Sequence, residues 1–382
     1  MLAPVRPLSP LSRPAPALDA TPAGIVHDWR LDIQEPARRA LRLWFWSIAA
    51  MTLAVLVVGG ITRLTQSGLS IVDWKPVMGV VPPLGEAAWQ ETFDRYRQFP
   101  EYLELRRNMT LGEFKVIFFW EYLHRLVARL IGVVFLVPFA IFWLRGQLSG
   151  PLLRRSLALF ALGALQGLMG WLMVKSGLVD RPSVSHYRLA AHLGLAFLIF
   201  GSAVWLAREL SVDSVRRRVS RRARLLMRNG LAAIGVLLAL QVLWGAFVAG
   251  LKAGLIFNTF PLMAGALVPP NLLPLSPALL NFVQHPTAVQ WTHRVLGTVL
   301  LIAVAALYAR VRQVGADGLS RRLNDTLFVL VAAQYLLGVL ALLYMVPVAL
   351  GVIHQATAMI IAGVWVVWLH HCQRVQRVSG DT

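Results

Sequence analysis

Glu121-Tyr122-Leu123-His124-Arg125 and Gln290-Trp291-Thr292-His293-Arg294 decide the fold, because each sets a His-Arg pair inside a long apolar run and the two runs match. Working outward, the match continues. Gln166 and Gly170 lie in the run after the first pair, Gln334 and Gly338 in the run after the second, and His192 and His354 follow in the next runs. Ahead of the pairs, Ser67-Gly68-Leu69, Pro76, Met78 and Pro82-Pro83 correspond to Ala253-Gly254-Leu255, Pro261, Met263 and Pro269-Pro270. The repeat is four apolar segments long. An even number of crossings brings each copy in from the same side, so the halves read as parallel repeats about an axis along the membrane normal.

Apolar residues make up 57% of the 382 and charged residues 14%, with a mean hydropathy of +0.62. That is too apolar for an ordinary soluble domain. Windows long enough to cross the hydrocarbon as helices fall at 43–62, 116–144, 156–175, 187–207, 230–250, 287–309, 326–346 and 348–369. The expected fold is an all-α polytopic membrane protein, with eight transmembrane helices forming two pseudosymmetric four-helix bundles. The expected organisation is a flexible cytoplasmic tail at 1–40, a first bundle at 41–210, a basic cytoplasmic linker at 211–225, a second bundle at 226–372 and a cytoplasmic tail at 373–382. The first 30 residues are rich in Pro and Ala and hold no apolar core of signal-peptide length.

The net charge of +19 is a topology signal. Arg38, Arg39 and Arg42, then Arg154 and Arg155, then the run from Arg216 to Arg224, then Arg310, Arg312, Arg321 and Arg322, and finally Arg374 and Arg377 mark alternate connections. The positive-inside rule puts those segments and both termini in the cytoplasm, and a bacterial inner membrane is expected over a mitochondrial one. The 216–224 run lacks the interleaved aromatics of an RNA-binding patch, so no nucleic-acid partner is expected. The lone Cys372 excludes an internal disulfide and a cysteine-based metal cluster.

His124, His192, His293 and His354 sit in the second, fourth, sixth and eighth runs, each roughly two turns after the run begins. These runs all cross from outside to inside, which places the four toward the outer leaflet. Ionisable groups at such depth are costly and mark function by default. In each half, the histidines of the second and fourth helices can face one another across the bundle core, where such folds build cofactor sites. Imidazole pairs suit heme iron, whereas zinc recruits three or four protein ligands. His27, His186, His285, His370 and His371 fall in loops or at run ends and receive no role. Arg125 and Arg294 are expensive near hydrocarbon unless paired or snorkelling. A heme propionate is one suitable partner and the outer interface another.

Three residues before His124 stands Glu121, and three before His293 stands Gln290. Positions i and i+3 share a helical face, so the first half offers general acid–base chemistry where the second offers a neutral amide. A structural hydrogen bond or a propionate contact is the alternative for the carboxylate. The outer segments differ too: 63–115 is charged and aromatic, 250–286 almost uncharged. Trp89, Phe93 and Tyr96, among charges, read as an amphipathic helix at the interface.

With these residues in hand, the chain after residue 40 resembles the heme A synthase family, which oxidises a ring methyl of heme O to the formyl group of heme A for terminal oxidases. The resemblance rests on Glu121 to Arg125, His192, Gln290 to Arg294 and His354, with Ser67-Gly68-Leu69 and Asn258-Thr259-Phe260-Pro261. It implies two bundles with a histidine pair in each: His293 and His354 on a resident heme b, His124 and His192 on the substrate heme, and Glu121 as the catalytic carboxylate. The reaction implied is two successive hydroxylations followed by loss of water. Implied partners are heme O, surrounding lipid, and as further candidates the enzyme that makes heme O, an electron donor and a second copy of the chain. Some members carry an outer cysteine pair, which is absent from this sequence. A reading from another class, a diheme electron-transfer cytochrome, fits the bis-histidine sites alone.

Overall fold

The computed structural model describes residues 33–72, 80–178, 184–211, 218–374 and 376–377. Residues 1–32 and 378–382 of the expected tails, Arg216 and Arg217 of the linker, and Pro76 and Met78 of the repeat lie outside the described residues.

Ten α-helices order the described residues: α1 Glu35–Leu64, α2 Glu86–Tyr96, α3 Leu111–Leu144, α4 Gly150–Leu178, α5 His186–Glu209, α6 Arg221–Gly250, α7 Asn281–Gln284, α8 Pro286–Gln313, α9 Gly318–Leu343 and α10 Val348–Arg374. Eight of these are long and apolar enough to cross a membrane, all but α2 and α7. Seven contain the window expected for them and run past it at one or both ends, whereas α9 starts before its window of 326–346 and stops at Leu343, short of the window's end. The starts follow from local chemistry. Thr110 and Glu113 close a capping box ahead of α3. Ser220 caps α6, Pro286 opens α8, and Asp317 caps α9. Helix α1 begins inside the segment expected as tail and α6 inside the expected linker. Pro138, deep in α3, leaves that helix continuous.

In the first half, α1 packs on α3 and α5, and α5 on α4; in the second half, α6 packs on α8 and α10, and α10 on α9. The same adjacency twice is consistent with the expected pair of bundles. Lipid offers no hydrophobic drive for helix association, so close packing depends on small residues at the crossings. Gly363 of α10 takes Phe200 of α5 against it, and Gly201 of α5 meets Val366 of α10. That contact, with α5 on α6 and α1 on α10, joins the halves.

One difference breaks the symmetry. Helices α8 and α9 pack along one another, whereas α3 and α4 scarcely touch, and α3 and α4 are the least buried of the spans. The first bundle is therefore open on the side between them.

At one end of the first bundle, α2 and a π-helical turn at Glu101–Leu105 form a cap. Its aromatic residues do not lie free for lipid. Phe93 and Tyr96 are buried against Phe114 of α3, with Trp89 edge-on to Phe118.

Candidate functional site

The four histidines occupy equivalent places. Each presents its Cε1 atom to a glycine on the neighbouring helix, so closely that a side chain there would collide with the ring or press it. A Cβ built at Gly59 of α1 would stand 2.7 Å from His124, and one at Gly245 of α6 3.1 Å from His293. At Gly170 of α4 and Gly338 of α9 the distances to His192 and His354 are 3.2 and 2.9 Å. Within each half the two imidazoles are near enough for their charges to interact, His192 with His124 and His354 with His293.

The environment fits heme. The Nδ1 atoms of all four rings are buried and have no hydrogen-bond partner, an expensive state for a polar group in an apolar interior. The amides of Gln166 and Gln241 reach to 3.4 and 3.3 Å from Nε2 of His192 and His293. Among the described residues, no three His, Cys, Asp or Glu side chains gather as a metal-binding group. Paired imidazoles without further ligands suit a metal that arrives inside a macrocycle.

Glu121 is 2% exposed and its carboxylate is turned to the segment after α1. It accepts from Ser70 Oγ at 2.7 Å and from the Ile71 backbone N–H at 2.8 Å, while Arg125 reaches its other oxygen at 2.6 Å. Arg125 also donates to the Ile71 carbonyl at 2.9 Å. Gln290, 3% exposed, sits in the matching frame, where the offset that aligns Ser67 with Ala253 aligns Ile71 with Phe257. Its amide donates to the Phe257 carbonyl at 3.1 Å, and Arg294 donates to that carbonyl at 2.7 Å and to Thr259 O at 2.8 Å. The frame is conserved between the halves and the chemistry is inverted: the first half holds an acceptor that can carry a proton, the second an amide that donates. Both arginines spend hydrogen bonds on the segment that closes over the helix.

Two histidines left without a role have structural ones. His370 and His371 are buried near the C-terminal end of α10, and His371 Nε2 lies 3.1 Å from Asp317, the cap of α9. Sequence reasoning singled out the four histidines, Glu121 and Arg125 as candidates. It missed Gly59, Gly245, Gln241, Ser70 and Ile71. The two glycines were legible, since the offset between Ser67 and Ala253 also separates Gly59 from Gly245. Ser70 and Ile71 carried no signal, because their part is set by a chain reversal.

A family model described as cytochrome oxidase assembly protein matches residues 42–366. The heme A synthase of Nitrosospira multiformis is 43% identical over 341 residues, which is 89% of this chain and 94% of that protein. The heme A synthase of Parvibaculum lavamentivorans is 45% identical over 332 residues, 87% of this chain and 94% of that protein. That of Rhodospirillum centenum is 45% identical over 338 residues, 88% and 89% of the two chains.

Proposed function

The chain belongs to the cytochrome oxidase assembly protein family, and on that premise we propose that it is a heme A synthase of a bacterial inner membrane, oxidising a ring methyl of heme O to the formyl group of heme A. His124 and His192 hold the substrate heme, and His293 and His354 hold a resident heme b, which when bound supplies one-electron storage beside the reacting half. Both termini face the cytoplasm and both histidine pairs lie toward the outer leaflet.

The observation that carries this reading is the inverted frame at Glu121 and Gln290. A reaction that breaks carbon–hydrogen bonds needs a group that holds and releases protons, and only the first half has one at that position. The opening between α3 and α4 supports the same division of labour. A substrate must enter and leave, and an apolar heme does so sideways from the bilayer, whereas a resident group is better served by the closed packing of α8 on α9.

The first hydroxylation replaces one C–H bond of the methyl by C–OH, and the second makes a gem-diol that loses water to the aldehyde. Two electrons leave the carbon in each. Glu121, one turn before His124, holds or moves the proton at its carboxylate. Ser70, Ile71 and Arg125 fix that carboxylate, and Arg125 and Arg294 are positioned to meet heme propionates where each loop closes.

Replacing Glu121 by Gln copies the second half into the first. E121Q should keep both hemes and lose turnover by at least about 100-fold, the scale of general acid–base catalysis. The check is heme content by absorbance with heme A by chromatography; a variant making heme A at the parent rate would remove the carboxylate from the mechanism.

A further inference from the structure

The cap of the first half buries a second carboxylate. Glu101 is 5% exposed and Tyr96 0%. One Glu101 oxygen lies 3.4 Å from Arg106 Nε; the other is buried beside the Tyr96 hydroxyl, with which it interacts without reaching full hydrogen-bond geometry. Arg106 also donates to the Gln66 carbonyl at 2.8 Å, on the segment whose Ser70 bonds both the Ser67 carbonyl, at 3.1 Å, and Glu121, at 2.7 Å. Among the described residues, Tyr96 from α2, Arg106 from its own loop and Glu121 from α3 act on the charge of Glu101.

A purely structural carboxylate would be expected to finish its hydrogen bonds, because an incompletely paired buried charge is destabilising. The matching segment of the second half, residues 253–285, contains no Asp, Glu, Lys or Arg. The cap thus repeats the asymmetry of Glu121 and Gln290, with carboxylates on one side only.

We propose that Glu101 is the proton-exchange partner of Glu121, taking the proton that Glu121 releases and passing it to water on the outer side. The O–H bond at Glu121 breaks as one forms at Glu101, and no electron moves. Glu101 does not touch the heme; it acts through Glu121 and is a positioning residue for its proton. Arg106 keeps the loop that carries Ser70 in register with both carboxylates. Burial pushes the Glu101 carboxyl up to about 6, against the pull of Arg106 and with the repulsion of Glu121, so it changes charge near neutrality. The inference rests on the reading of the first half as the reacting half.

The test is conversion of heme O by membrane vesicles carrying the full chain, followed from pH 5 to pH 8 for the parent, E101Q and E101D. The parent should show a limb with a midpoint near 6. E101Q should retain both hemes, turn over about 10-fold more slowly and lose the limb, an effect below that of removing a direct acid–base group; E101D should restore it. An E101Q variant with the parent's rate and profile would overturn the inference, as would one that loses heme, since that marks a structural role. A parent that converts no heme O at any pH would instead overturn the synthase reading beneath it.

Discussion

At the scale of single residues, glycine sets the histidine sites as firmly as histidine does. Four imidazoles reach the bundle cores because the helix opposite each one has no side chain there. Gly59 is the tightest of the four, so Gly59→Ala should drive His124 from its place, at an overpacking cost of about 1–3 kcal/mol. The expected result is loss of heme from the first half with retention in the second. Gly163→Ala is the control, because a Cβ there meets nothing within 4 Å, and it should keep both hemes. Heme-to-protein ratio by absorbance reads the outcome, and a G59A variant with undiminished heme would separate the glycines from the sites. The histidines were legible in the sequence because an ionisable group in an apolar run stands out. The glycines could be matched across the repeat, but not their contact with the imidazoles, because a missing side chain leaves no mark until a neighbour is known.

At the scale of elements, hydropathy located the eight spans and misjudged their ends. Helices α1 and α6 begin in arginine-rich turns that no apolar window includes, because a helix stays hydrogen-bonded beyond the hydrocarbon where water admits charge. The junction of α9 with α10 shows how such an end is held. Asp317 caps α9 through the backbone N–H groups of Leu319 and Ser320 and meets His371 of α10. Burial pushes its carboxyl up, but the hydrogen bonds from His371 and Ser320 outweigh that and hold it below the usual carboxylate range. A depressed carboxyl stabilises the fold above its unfolded pKa, about 4 for Asp, and the stabilisation disappears as pH falls toward the folded value. Asp317→Ala should therefore cost about 1–2 kcal/mol at pH 7 and little in strong acid. Thermal midpoints of parent and variant in detergent at pH 7 and pH 3 give the comparison; a gap that widened in acid would contradict the assignment.

At the scale of the whole molecule, the duplicated chain keeps one frame and gives it two uses. The repeat itself was legible, since His-Arg pairs, Gln-Gly spacings and the Glu121 to Gln290 exchange all lie in register. The opening between α3 and α4 was not, because both are ordinary apolar helices and what distinguishes them is the partner each lacks. Nor was the closure of the loop after α1 over Glu121, which depends on a backbone reversal. From these differences comes the central claim that one half keeps its heme while the other receives, oxidises and releases one. The most direct test is chromatography with mass detection of the hemes extracted from the purified full chain, produced in cells that also make heme O. The account predicts heme b together with heme O, its hydroxylated form or heme A, whereas heme b alone filling both sites would contradict it and mark the protein as an electron-transfer cytochrome.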